Sequence, residues 1–291
     1  MNIRLSLSEK IFSAAVYIIM FIIAVLALIP FFNVITLSLS SPETASRLGL
    51  HLFPTELYLG AYEKVIKSAS IFKGFFNSVL ITVTGTVLTL AVSALAAYPL
   101  SKRYLVHRGF WTGIIVFTMF FTGGTIPNYI LVRNLGLMDS RAALILPSLV
   151  NTFNMLIIRN FFMSLPEEVE EAARIDGAND FLILFRIVLP LSKSILATVA
   201  LWTAVAHWNS WFPCLLYIRS TDKYVLQVIL RRIILDGSSE FVNMEVANIT
   251  EPTTETIKAA TTVVTILPII LVYPFLQKYF VQGVMVGSLK G

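Results

Sequence analysis

Apolar residues dominate six stretches of the chain, at about 11–37, 74–98, 110–132, 142–163, 190–217 and 257–280. Each is long enough for a helix to cross a bilayer, which takes ~17–25 residues. The pattern predicts an all-α, polytopic membrane protein forming one domain over 1–291, with its core at about 74–281. Pro30 lies deep in the first stretch, and Pro268 and Pro274 lie in the last. A membrane helix tolerates such prolines when neighbours re-satisfy the freed carbonyls, so they mark kinks. Small and hydroxylated residues (Thr82, Gly85, Thr86, Thr89, Ser93, Ala94, Ala97) crowd the second stretch, which suits close packing inside a bundle.

The polar positions break this pattern most sharply between the fourth and fifth stretches, at about 164–189. Six of the fourteen residues from Glu167 to Asp180 are acidic, in a chain that is 13% charged. Pro166 suits the first turn of a helix, and Glu167 and Glu168 then sit at the positive end of its dipole. Glu167, Glu170, Glu171 and Arg174 fall at i, i+3, i+4 and i+7, on one face. Gly177, just past Asp176, fits a helix C-cap. Asn179 or Asp180 then caps a second short helix to about Arg186, and Leu189-Pro190 turns the chain back. The product is a water-facing helix–Gly turn–helix. Other polar segments are 38–73, 134–141 and 218–256. Within the last, Tyr224 to Leu235 is too short to span, carries Arg231 and Arg232, and reads as an interfacial or re-entrant amphipathic helix.

Composition narrows the class. At 56% hydrophobic residues the chain exceeds the ~45–50% of soluble domains, and its mean hydropathy is +0.79. The first apolar stretch is about twice a ~7–15-residue signal core and no small-residue cleavage site follows, so it is expected to stay as a transmembrane helix. The net charge of +5 fits basic residues at membrane ends, and no nucleic-acid partner is expected. Cys214 is the single cysteine, and His51, His107 and His207 lie far apart, so no metal site is expected. There is no G-x-x-x-x-G-K-[ST] motif and no nucleophile–base pairing, which argues against bound nucleotide or a catalytic site.

Polar and aromatic residues inside the spans are the candidate pathway residues for a polar solute. Trp202 and Asn209, seven apart, share a face of the fifth span. Trp208 stands roughly 27 Å above Pro190, toward the outer leaflet. Asn151 and Asn154 in the fourth span are costly in lipid and should face inward. In the third span Thr122, Asn128 and Tyr129 flank Gly123-Gly124, a pair able to unwind the helix at a cavity. Each has a plainer reading. Trp208 and Trp211 fit an interfacial aromatic belt, the asparagines fit interhelical hydrogen bonds, and His207 fits packing.

The order Glu171-Ala172-Ala173, Asp176-Gly177-Ala178, then Leu189-Pro190, resembles the cytoplasmic coupling loop of ABC importer permeases. Ser93 to Ser101, Phe121 to Pro127, Leu135-Gly136-Leu137, Leu144 to Pro147, Tyr273 to Phe280 and Gly283 to Gly291 are similar to MalG-type permeases of carbohydrate importers, in their LplC-like oligo- or polysaccharide branch. The resemblance implies a type I importer permease fold. It implies docking to an ATPase through Glu167, Glu170, Glu171, Ala172, Ala173, Arg174, Asp176, Gly177 and Ala178. Glu171 would pair with a basic residue, the alanines would permit close approach, and Gly177 would make the elbow. Leu184 stands where the family often has a bulky aromatic, and Phe185 follows it. The tail 287–291 would lie near the ATPase.

The implied partners are a second, related permease, two ATPase subunits carrying the ATP and magnesium that this chain does not bind, and an extracytoplasmic sugar-binding protein. The implied location is the bacterial inner membrane with both termini cytoplasmic. Lys and Arg divide evenly on that topology, 11 to each side, so the orientation rests on the resemblance. The alternative is a stand-alone ion-coupled carrier. Such carriers hold ionisable residues within their spans, and these span cores hold essentially none.

Overall fold

The computed structural model describes residues 6–47, 49–54, 56–236 and 252–288, with side chains to Pro274. The described residues form helices and turns without a strand. Among the described residues three helices are long and apolar enough to cross a membrane, or up to six if each of three bent pairs is one span. The chain divides into two units, Met1–Ile71 with Leu230–Ile266, and Phe72–Ile229 with Leu267–Gly291.

In the first unit α1 (Leu7–Ser38) opens on a capping box, with Ser6 and Glu9 each accepting from the other's backbone N–H. It runs through Pro30 unbroken. None of its most apolar window is buried, so Phe12, Phe21 and Leu26 are left for lipid or another subunit. The chain then doubles back, with Tyr58 N–H donating to Leu39 O, and α2 (Gly60–Lys67) places Tyr62 Oη 2.8 Å from Ser38 Oγ.

The second unit is organised on α3 (Ala69–Ser101), 33 residues and so about 50 Å long. Three expected spans are not single helices. The stretch 110–132 is α4 (Arg108–Phe120) and α5 (Thr125–Asn134), meeting at 110° where Gly124 takes φ +82°. The stretch 142–163 is a pair of 3-10 turns over Arg141–Ser148 and then α6 (Thr152–Met163), bent by 53°. There Asn151 caps α6, its side chain accepting from Asn154 N–H, so the asparagine starts a helix rather than sitting within one.

The next segment holds α7 (Glu167–Ile175), α8 (Asp180–Ile183) and a π turn over Leu184–Val188. An 81° bend then leads into α9 (Lys193–Trp208) and α10 (Trp211–Tyr217). The expected span 190–217 is therefore interrupted at both ends of α9, which removes the continuous rise from Pro190 assumed for Trp208. The chain finishes with α11 (Leu226–Asp236) and α12 (Thr254–Ser288), which passes both Pro268 and Pro274.

One core cluster joins these pieces. Ala97 and Tyr98 of α3 pack with Ile158 and Phe162 of α6, Val199 of α9, and Ile183, Leu184 and Val188 from the loop's second half. The small residues of α3 allow that approach. Leu226 and Ile229 of α11 are buried in protein, while Ile234 and Leu235 are exposed. Leu226 N–H donates to Ser78 Oγ, and Ile229 fills the space that a side chain at Gly74 would need. The rest of the expected outer loop, at 237–251, and the tail 289–291 lie outside the described residues.

Candidate functional site

The polar loop has the expected helix–Gly turn–helix form. Pro166 occupies the N-cap of α7, one place earlier than expected, with Glu167 and Glu168 in the first turn. At the other end Gly177 takes φ +86°. Gly177 N–H donates to Arg174 O (3.0 Å) and Ala178 N–H to Ala173 O (2.9 Å), the two bonds of a Schellman cap. Asn179, not Asp180, caps α8 by accepting from Leu182 N–H.

The acidic face of α7 is turned inward more than expected. Glu170, 9% exposed, takes up Lys102 Nζ, which also lies 4.4 Å from the Tyr98 ring. Arg174 donates to Tyr104 Oη (2.6 Å) and Asp180 Oδ1 (2.7 Å). Burial raises the Tyr104 hydroxyl pKa, with Arg174 opposing, so the phenol stays protonated. Arg103 meets Glu167 at 3.1 Å in an exposed pair that contributes little.

Glu170 and Arg174 thus hold α7 against the turn after α3. Ala173 and Ala178 pack on the core. Glu168, Glu171, Ala172 and Asp176 remain exposed, and among them stand Ile175 (87% exposed), Phe181 (69%) and Phe185. Ile175 and Phe181 were missed. Their signal was large apolar residues inside the most polar segment of the chain. Leu184 is buried in the core, so only Phe185 of that pair faces outward.

The second feature is a cavity of about 500 Å³ whose wall includes Asn151, Asn154, Trp202 and Asn209. The seven-residue spacing of Trp202 and Asn209 does bring both to it. Trp202 stacks on Phe153 with centroids 6.4 Å apart. His207, read from the sequence as packing, also lines it, as do Thr89, Ser148, Thr203 and Ser210, which were not among the candidate contacts. The His207 ring packs against Gly85, where no Cβ would fit.

Trp208 belongs elsewhere. It is 5% exposed, lies edge-on to Phe75 at 5.9 Å, and borders a separate apolar pocket with Val79, Leu201 and Pro268. It is neither a cavity residue nor an exposed belt residue, because six positions at about 100° each rotate it well away from Trp202. Thr122 and Asn128 are exposed and Tyr129 stacks on Tyr217 at 6.3 Å; none of the three lines the cavity. Among the described residues no three His, Cys, Asp or Glu side chains could together hold a metal ion.

At the other end of α3, Asn77 donates to Asp222 O and Tyr224 O and accepts the forked donors of Arg141. Nearby, the Asp139 carboxylate accepts from Arg219 N–H, Ser220 N–H and Oγ, and Lys223 Nζ. The Ser220 bonds lead in holding its pKa well below the usual carboxylate range.

Residues 90–286 match the family model described as binding-protein-dependent transport system inner membrane component. The chain is 40% identical over 286 residues to the polygalacturonan/rhamnogalacturonan transport system permease protein YtcP of Bacillus subtilis (strain 168), covering 98% of this chain and 100% of that one. It is 39% identical over 269 residues to protein LplC of the same organism, covering 92% and 91%. A solved chain of a bacterial ABC transporter involved in the import of the acidic polysaccharide alginate superposes with a TM-score of 0.90 at 35% identity, over 96% of this chain and 100% of that one. A chain from a bacterial alginate ABC transporter in complex with alginate pentasaccharide-bound periplasmic protein shares the fold, at a TM-score of 0.57 and 14% identity.

Proposed function

This chain belongs to the binding-protein-dependent transport system inner membrane component family, and from that premise we propose that it is the membrane-spanning permease subunit of an ATP-driven saccharide importer. It is a multi-pass membrane protein. The names of its relatives, which concern polygalacturonan, rhamnogalacturonan and alginate, support an oligo- or polysaccharide as cargo.

In this reading the chain forms half of a pore with a second, related permease. An extracytoplasmic binding protein delivers the sugar, and two ATPase subunits hold the ATP and magnesium. The chain itself binds no cofactor and carries out no chemistry. Both termini and the loop are cytoplasmic.

The observation that carries this reading is the loop itself. It presents Ile175, Phe181 and Phe185 to solvent on an acidic ground, yet it is anchored behind by Lys102–Glu170 and Arg174–Tyr104. Exposed apolar side chains on an anchored projection suit a protein partner. A push on α7 from a closing ATPase dimer passes to the end of α3 through those anchors. The outer end of α3 holds the 222–226 segment through Asn77 and Ser78. Alternating access then amounts to moving this braced assembly as a lever.

The test is uptake in proteoliposomes with and without ATP. Uptake that needs ATP and the partner ATPases is expected. Uptake by the isolated chain on an ion gradient would contradict the importer reading and favour a secondary carrier.

A further inference from the structure

α4 and α6 pack side by side, with Thr118 Oγ1 and Thr152 Oγ1 3.2 Å apart. Arg108 opens α4 and Thr118 lies near its close, whereas Thr152 opens α6 and Arg159 lies toward its close. The charge of Arg108 acts on Arg159. The two helices therefore run antiparallel and bring two guanidinium groups together at one end of the pair. Arg159 donates only to neutral acceptors, Leu100 O (2.9 Å) at the end of α3 and Asn160 Oδ1 (3.2 Å). Arg108 Nη1 is shut away from solvent and has no hydrogen-bond partner among the described residues. The loop's paired acids are engaged elsewhere, Glu170 by Lys102, Glu167 by Arg103 and Asp180 by Arg174. Two like charges held together without a counter-ion repel, and an unpaired buried donor adds its own cost.

The backbone beside them has the same sign. His107, the N-cap of α4, takes φ +57° and supplies no side-chain cap, so the N–H groups of Gly109 and Phe110 have no acceptor among the described residues. The start of this 13-residue helix adds the positive end of its dipole. Arg108 is only part-buried, and His107, Gly109 and Phe110 are exposed, so an anion reaches this place from outside. Phe110 and Trp111, 63% and 49% exposed, stand next to it, and Ile114 and Phe117 continue an outward apolar surface along α4. Exposed aromatics at the head of an apolar helix mark the headgroup level of a bilayer.

We infer that Arg108 and Arg159, with the start of α4, bind the phosphate of an anionic phospholipid. A guanidinium fork matches a pair of phosphate oxygens, and basic pockets between membrane helices suit anionic headgroups. The apolar surface below the arginines takes the acyl chains. A free phosphate has no use for that surface, which favours lipid as the source of the anion. Bound there, the lipid neutralises the pair and clamps α4 to α6, and through Arg159 to the end of α3. Such a site needs only that the chain lies in a membrane. Its leaflet, the cytoplasmic one, follows from the proposed placement of the loop.

The experiment uses the intact importer assembly in phosphatidylcholine vesicles that contain a minor share of phosphatidylglycerol with a photoactivatable headgroup. Crosslinked peptides are identified by mass spectrometry. The wild type should be labelled within 105–112 and 157–163, with or without excess inorganic phosphate. Arg108→Gln and Arg159→Gln should each lower that labelling about fivefold, and Arg108→Lys and Arg159→Lys should keep most of it. Arg186→Gln, which removes an exposed cation from the loop, should leave it unchanged.

Labelling undiminished when both arginines are replaced by glutamine would overturn the inference, as would an equal loss with Arg186→Gln, which would mean general surface charge. Displacement by inorganic phosphate would make this a site for a soluble anion and overturn the lipid. The same reactive group carried on phosphatidylcholine gives a comparison that needs no substitution. Equal labelling of the two segments by both lipids, or none by either, would also overturn it.

Discussion

Lys102, the first residue past α3, meets Glu170 in the middle of α7, and both side chains are 11% exposed. Removing one partner of such a buried pair leaves the other charge without compensation. Glu170→Ala should therefore lower stability by about 3–5 kcal/mol. The double change Lys102→Met with Glu170→Leu should recover most of the loss, because it removes both charges. Thermal unfolding in detergent reads both. Equal losses from the single and double variants would mean that the pair does not hold the loop.

Gly177 carries a cost of a different origin. Nothing lies within 4 Å of a Cβ built there, so a side chain meets no clash, but φ +86° strains any L residue. Gly177→Val should cost about 1–2 kcal/mol and misdirect α8. The variant should still reach the membrane while ATP-driven uptake falls, with Gly177→Asn milder. Normal uptake by the valine variant would remove the elbow role.

The loop was legible because its signals are local. A Pro at the start, a Gly after the last helical residue and an Asn before the next helix each act over three or four residues. The six apolar stretches were legible for the same reason. The bends were less so: Gly123-Gly124 announced the 110° turn, but the 81° turn falls at Ser192 rather than at the prolyl Leu189-Pro190 pair. Trp208 was less legible, because its height along the helix does not give its phase around it, and it packs beside Phe75 and Val79 instead. Glu170 was expected to face outward because its partner Lys102 lies 68 residues away, where helical spacing carries no information.

Gly85 sets the position of His207. A Cβ there would fall 2.6 Å from His207 Nε2, so Gly85→Ala must push the ring. Overpacking of this kind costs about 1–3 kcal/mol. It should also lower uptake, since His207 lines the cavity. Adding His207→Ala should relieve the strain, a non-additive result in a thermal double-mutant cycle. Strict additivity would show that the two do not touch.

Asp139 gives a pH prediction with a definite sign. Its folded pKa is held below the unfolded value by bonds from Ser220, Arg219 and Lys223. The stabilisation is therefore fully present above the unfolded value of about 3.9 and is lost only as pH falls below it. Protease protection of the 217–223 segment should be flat from neutral to mildly acidic pH, and Asp139→Asn should reduce it throughout that range. Loss of protection in the wild type near neutrality would contradict the assignment.

The central claim is that the exposed face of the loop docks a partner ATPase. The most direct measurement is mild-detergent co-purification of the tagged chain from its native cell, with mass spectrometry of what accompanies it. The wild type should bring a second permease and an ATPase, and the double change Ile175→Asp with Phe181→Asp should lose the ATPase while keeping the permease. An ATPase retained undiminished by that variant, or a wild-type chain that purifies alone, would contradict the account.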